Sequence, residues 1–168
     1  MLSDINKLEV FFEDCYKEFG VREYAKIRKI SPPAASNFLK ACAKEDLLNM
    51  REDRRYLLFK ANRESIEMRD LSRIYWHQRL KSVKEKIEAE CHPKAIILFG
   101  SLSKLEAKNE SDIDIAIISA LNKAPNLKEE ETKLKREIHV ISFKSLSSVP
   151  EKLRHNLVNG YWIYGEIE

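Results

Sequence analysis

The chain has 168 residues, enough for one or two domains, and carries a formal net charge of +3, which neither demands nor excludes a nucleic-acid partner. It is 34% charged with only four glycines, which suits a helix-rich soluble protein. No apolar run is long enough to span a membrane, no secretory leader is expected, and the scattered Cys15, Cys42 and Cys91 fit neither a disulfide framework nor a zinc site. Reduced thiols in a cytoplasmic protein are the expectation.

Residues 4–19 read as an amphipathic helix, with Ile5, Leu8, Phe11, Phe12, Cys15 and Phe19 at helical spacing and Gly20 as its stop. A second helix is expected over 21–30, turning Val21, Tyr24, Ala25 and Ile27 inward. Ser31-Pro32 is a start signal, serine as N-cap and proline at the first helical position. The helix it starts is predicted to run to about Leu48, with Ala35, Phe38, Leu39 and Cys42 on its apolar side. Residues 49–55 read as a polar turn, and its apolar flanks, Leu47-Leu48 and Tyr56-Leu57-Leu58-Phe59, can pair as a hairpin.

This order of helix, helix, turn, helix and hairpin resembles the winged helix-turn-helix family, with Asp46 where that family often has glycine. Between residues 20 and 60 there are ten basic side chains and five acidic ones, a larger surplus than the whole chain carries. Ser36, Asn37 and Lys40 are expected on the exposed face of the third helix, where a groove-reading helix makes its contacts. Arg51, Arg54 and Arg55 are expected at the wing tip, near phosphates or the minor groove. DNA is thus one expected partner. The alternative is a docking or dimerising module, and with it a homodimer.

Residues 62–65 read as a joint. Beyond it Ile66, Met68, Leu71, Ile74, Tyr75, Leu80, Val83 and Ile87 allow one or two helices, the main one over 70–91. His77 reads as a surface or core histidine. His92-Pro93 ends the helix, because a residue before proline avoids helical geometry.

The stretch from Ala95 to Ser119 carries the chemistry. Ala95-Ile96-Ile97-Leu98-Phe99 reads as a buried strand, Gly100-Ser101 breaks it, and a short helix is expected over 101–107. In Ser111-Asp112-Ile113-Asp114-Ile115 the two carboxylates lie two residues apart, so on a strand they share a face while Ile113 and Ile115 point to a core. Paired carboxylates repel, and a hard cation such as magnesium is their usual compensation. The glycine permits close backbone approach, and free N–H groups at a helix start favour an anion. Together these describe a site for a metal-bound nucleotide.

Gly100-Ser101 followed by Ser111-Asp112-Ile113-Asp114 resembles the GS-x-SDxD signature of the DNA polymerase beta nucleotidyltransferase superfamily, and within it the minimal nucleotidyltransferases of archaea and bacteria. The resemblance implies Mg²⁺ or Mn²⁺ on Asp112 and Asp114, and a nucleoside triphosphate, with ATP expected, bound at Gly100, Ser101, Lys104 and Ser111. Relatives often carry Arg-Gly where Lys104-Leu105 stands, so the close turn that glycine permits is expected to be lost. A charged loop and helix follow over 120–135, with Glu129-Glu130-Glu131 read as a solvated face. Residues 136–143 alternate as a strand with Ile138, Val140 and Phe143 inward. In the family this strand carries a third acidic residue that helps hold metal and acts as general base. Here His139 stands there, and Glu137, two residues earlier on the same face, can substitute. A helix over 150–159 with Leu153, Leu157 and Val158 inward, then an aromatic strand from Tyr161, complete the chain.

The expected fold class is α+β: an N-terminal winged helix-turn-helix (1–61), a helical joint (62–91), and a C-terminal α/β nucleotidyltransferase domain with a small mixed sheet (92–168). The resemblance implies transfer of a nucleoside monophosphate to a hydroxyl, with a protein tyrosine as an acceptor and a helical toxin of the HEPN class as a partner that the chain neutralises. The alternative is a DNA-binding regulator whose nucleotidyltransferase domain is degenerate and senses nucleotide or docks a partner. No membrane partner is expected.

Overall fold

A computed structural model describes residues 2–121 and 123–166, with side chains from Ile5 onward. Asn122, in the expected charged connection, and Met1 and residues 167–168, at the ends of the expected domains, lie outside the described residues. The chain divides into two units, Met1–Ser72 with Leu105–Asn109, and Arg73–Lys104 with Glu110–Glu168.

In the first unit the expected helix over 4–19 is two short ones, α1 (Leu2–Lys7) and α2 (Glu9–Glu13). Asp14 ends the second: its Oδ1 accepts from the N–H groups of Tyr16 and Lys17 at 3.0 and 3.1 Å, a local turn that outcompetes another helical turn. Phe19 therefore enters a strand, β1 (Phe19–Gly20), and Gly20 is the extended N-cap of α3 (Val21–Arg28), not a stop. Tyr24 and Ala25 are buried as expected, whereas Ile27 is 44% exposed. The Ser31 hydroxyl accepts from Ala34 N–H to cap α4 (Pro32–Lys44), which buries Ala35, Leu39 and Cys42. That helix stops short of Leu48 because Asp46 takes φ +58° and Leu47 N–H bonds back to Cys42 O.

The hairpin is longer and its turn tighter than the sequence suggests. Residues 49–53 are not turn but strand, within β2 (Leu48–Asp53), which pairs antiparallel with β3 (Tyr56–Ala61). Only Arg54 and Arg55 reverse the chain, at φ +48° and +70°. The three-stranded sheet has the order β1-β3-β2. Phe11, Phe12, Phe19, Tyr24, Leu39 and Phe59 form its core, with Tyr24 stacked between Phe11 and Phe38 and its hydroxyl donating to Lys7 O at 2.9 Å.

Helix α5 (Ile66–Arg79) starts earlier than expected and its residues are shared between the units. Leu80 separates it from α6 (Lys81–Cys91), which ends at His92 as the proline signal requires. The second unit is built on a mixed four-stranded sheet of order β6-β5-β4-β7. Here β4 is Ala95–Phe99, β5 is Ile113–Ile118, β6 is Ile138–Phe143 and β7 is Tyr161–Gly165. Strand β4 is antiparallel to both neighbours, while β5 and β6 are parallel. A parallel pair needs a crossover, and α8 (Lys128–Leu134) supplies it.

That crossover is not the solvated acidic face the sequence suggests. Glu130 is 5% exposed and pairs with Lys86 at 3.1 Å, and Glu131 Oε1 accepts from Ile138 N–H at 2.9 Å, at the first residue of β6. Ile97, Ala116, Val149 and Leu157 form a core cluster under Phe143 and Trp162. Of the residues expected inward on α9 (Glu151–Val158), Leu157 is buried and Val158 is 59% exposed.

Candidate active site

Strand β4 ends where the chain must turn sharply. Gly100 has φ +71°, and a Cβ there would run into Asp114 Oδ2. Phe99 pairs with Asp114 in the β4–β5 register, which sets that carboxylate beside the turn. The helix after the turn, α7 (Gly100–Ser103), is a single turn and shorter than the seven residues expected. Ile113 and Ile115 are fully buried, so alternation turns Asp114 to the opposite face, and Asp112 precedes the strand on the same side.

The parallel register opposes Asp114 to His139. The imidazole Nδ1 lies 3.6 Å from Asp114 Oδ1 and 3.8 Å from Asp112 Oδ2, while Nε2 lies 3.8 Å from Glu137 Oε2. Three predicted carboxylates, Asp112, Asp114 and Glu137, thus meet around the His139 ring. Asp114 is the most enclosed of them, its side chain 30% exposed against 80% for Glu137. Burial pushes the Asp114 carboxyl above the usual carboxylate range, and the Asp112 charge adds to that while His139 opposes it.

Among the described residues no group of three His, Cys, Asp or Glu side chains forms a ready cage for a metal ion. Two convergent carboxylates still suit magnesium, which is commonly held by one or two carboxylates with substrate phosphates and water completing the shell. The imidazole is a poor ligand for so hard an ion.

The other predicted residues are placed as follows. Ser101 is half-buried in α7. The Ser111 carbonyl accepts from Arg136 Nη1. Lys104 Nζ donates to Asn156 Oδ1 at 3.2 Å. The turn after it survives without glycine, since Leu105 is fully buried at φ +59°. In the first unit Asn37 and Lys40 are exposed on α4 and Ser36 is half-buried. Arg51 lies within β2, three residues before the tip, and donates to both Glu18 oxygens at 2.7 and 2.5 Å. Arg54 and Arg55 form the tip itself.

Sequence reasoning missed Arg136, which is 7% exposed and packed 5.3 Å from the Trp76 ring centroid, and Arg73, whose Nε donates to Ser103 O at 3.0 Å. Arg136 stands in a charged run, Lys135-Arg136-Glu137, and Arg73 within a polar helix, so neither is marked for burial in the sequence.

A mixed sheet that sets a glycine–serine turn against an acidic pair defines a nucleotidyltransferase-like domain. The model of the polymerase beta nucleotidyltransferase family matches residues 81–167, just over half of the chain, and the chain belongs to that family. No curated protein and no solved structure matches it. Among the described residues no helix is long and apolar enough to cross a membrane.

Proposed function

We propose that the chain transfers a nucleoside monophosphate from a nucleoside triphosphate, ATP in the first instance, to a hydroxyl. The observation that carries this reading is the convergence of Asp112 and Asp114 on one face beside Gly100. Those two carboxylates would hold Mg²⁺ or Mn²⁺. When bound, such an ion would supply charge stabilisation for the triphosphate and the departing pyrophosphate. The missing side chain of Gly100 lets the Asp114 carboxylate sit against the turn, and Ser101, Lys104 and Ser111 would take the phosphates. The acceptor oxygen forms a bond to the α-phosphorus, the bond to the β-phosphate bridging oxygen breaks, and pyrophosphate leaves. Glu137 or His139 takes the acceptor proton. His139 is the nearer of the two to the acidic pair, its Nδ1 3.6 Å from Asp114 Oδ1.

By family likeness the acceptor is a tyrosine on a partner protein, a helical toxin of the HEPN class, which the chain neutralises as an antitoxin in the cytoplasm. The N-terminal unit is then a winged helix-turn-helix, with α3 and α4 as the helix pair and β2–β3 as the wing. It binds DNA and regulates the chain's own operon, and a homodimer is the form expected if the unit docks a second copy instead. Exposure of Asn37 and Lys40 on α4 and of Arg54 and Arg55 at the hairpin tip supports that contact.

The test is incorporation of label from each α-labelled nucleoside triphosphate with Mg²⁺ or Mn²⁺, with the chain alone and with its partner present. Wild type transfers label and Asp114→Asn does not, while DNA binding is unchanged. No label from any triphosphate in either setting would sink the enzymatic reading. One observation favours a second reading: His139 stands opposite Asp114 where the family carries a third carboxylate. On that reading the domain is degenerate, binding nucleotide or a partner without transfer, and the chain is a DNA-binding regulator.

A further inference from the structure

Asp112 is pinned through both of its neighbours by one short segment. The Ser111 carbonyl, on its N-terminal side, accepts from Arg136 Nη1. The Ile113 N–H, on its C-terminal side, donates to Glu137 O at 2.9 Å. Arg136 is itself fixed, 7% exposed with its guanidinium carbon 5.3 Å from the Trp76 ring centroid. A buried guanidinium is a poor source of stability, because an apolar side chain of similar size often does as well or better there. Holding one carbonyl in one orientation is a task an apolar side chain cannot do.

The opposite lip of the site has a matching device. Helix α7 is one turn long, too short to sustain itself, and leaves its last carbonyls unsatisfied. Arg73 Nε donates to Ser103 O at 3.0 Å, and Ser103 Oγ donates to Gly100 O at 3.0 Å. Arg73 and Trp76 lie three residues apart on α5, hence on one face of one helix. The chain between the two held carbonyls leaves this unit, since Leu105–Asn109 belongs to the other. Sequence continuity alone therefore does not fix one lip against the other.

We propose that Arg73 and Arg136 are positioning residues that hold the two lips of the site from α5: Arg136, seated on Trp76, orients the acidic pair, and Arg73 orients the glycine–serine turn. The proposal rests on the nucleotidyl-transfer reading, and it assigns the two arginines separable effects. Arg136 governs metal affinity and Arg73 governs triphosphate affinity.

The experiment measures binding of Mn²⁺ alone by electron paramagnetic resonance, and of a non-hydrolysable ATP analogue in saturating Mn²⁺ by calorimetry. Circular dichroism and melting are recorded for each variant. Arg136→Gln weakens Mn²⁺ binding about tenfold or more, the usual cost of losing an outer-shell partner. Arg73→Gln leaves Mn²⁺ binding within about twofold and weakens the analogue about tenfold. Arg136→Lys and Arg73→Lys each recover part of the loss, and carry the test if a glutamine variant does not fold. Equal losses of both affinities in both variants, or no loss in either, would overturn the proposal and leave the transfer reading standing. A wild type that binds neither Mn²⁺ nor the analogue would remove the transfer reading and this inference with it.

Discussion

Asp114 is held against its own preference. Burial raises its carboxyl pKa and the neighbouring Asp112 raises it further, so the ionised form is disfavoured in the folded chain. A raised folded-state value means the native state binds more protons than the unfolded chain, and stability falls as pH rises through that window. At neutral pH the charge is therefore a burden on the fold, and Asp114→Asn removes it. The melting temperature of Asp114→Asn is expected to rise at pH 7 by scanning calorimetry, even as transfer is lost, the common trade between site and stability. A drop in melting temperature would contradict this account. The acidic pair itself is legible from alternation alone, because Asp112 and Asp114 flank an isoleucine in an apolar run. Their opposition to His139 is not, since it depends on a parallel register set by the crossover. Tyr24 is a second group whose ionisation is tied to the fold. Burial lifts its hydroxyl from 10.0 to about 12. Its contribution is whole below pH 10 and is lost as pH rises through 12, so Tyr24→Phe flattens the alkaline arm of a stability–pH curve measured by urea unfolding.

Among the elements, the β2–β3 hairpin carries a local conflict. A two-residue reversal with both residues at positive φ calls for Asn-Gly, yet Arg54 and Arg55 occupy it. Replacing both by Asn-Gly should stabilise the hairpin by about 0.5–2 kcal/mol in urea titrations. If the tip touches DNA, the same change lowers the slope of log affinity against log salt by about 2, one per lost phosphate contact. A stabilised variant with an unchanged slope would clear the tip of any DNA contact. The apolar flanks mark the hairpin, but not its tight turn, because the polar residues 49–53 carry no sign that they pair with 56–61. The first helix misled in the opposite sense. Phe11, Phe12, Cys15 and Phe19 satisfy helical spacing, but the Asp14 side chain closes a turn on Tyr16 and Lys17, and Phe19 is buried from a strand instead. Periodicity reports which residues are buried more faithfully than the element that buries them.

For the molecule as a whole, the unexpected feature is Leu105–Asn109, which belongs to the N-terminal unit although the family match surrounds it on both sides. Leu105 and Ala107 are buried, and Ala107 O accepts from Cys15 N–H at 2.8 Å. No compositional shift marks this stretch, so it was invisible in the sequence. Leu105→Ala should cost about 2–5 kcal/mol. Hydrogen exchange is expected to show that loss in the amides of β2 and β3, with β4 and β5 keeping their protection. Loss confined to β4 and β5 would contradict the division. The arrangement also bears on how the chain is made. A ribosome delivers the first 72 residues well before the five that complete their core, a delay of a few seconds at about 5–20 residues per second. For that interval the slot that Leu105 and Ala107 will fill stands open on the nascent chain, an opportunity for chaperones or proteases that closes only after β4 has emerged.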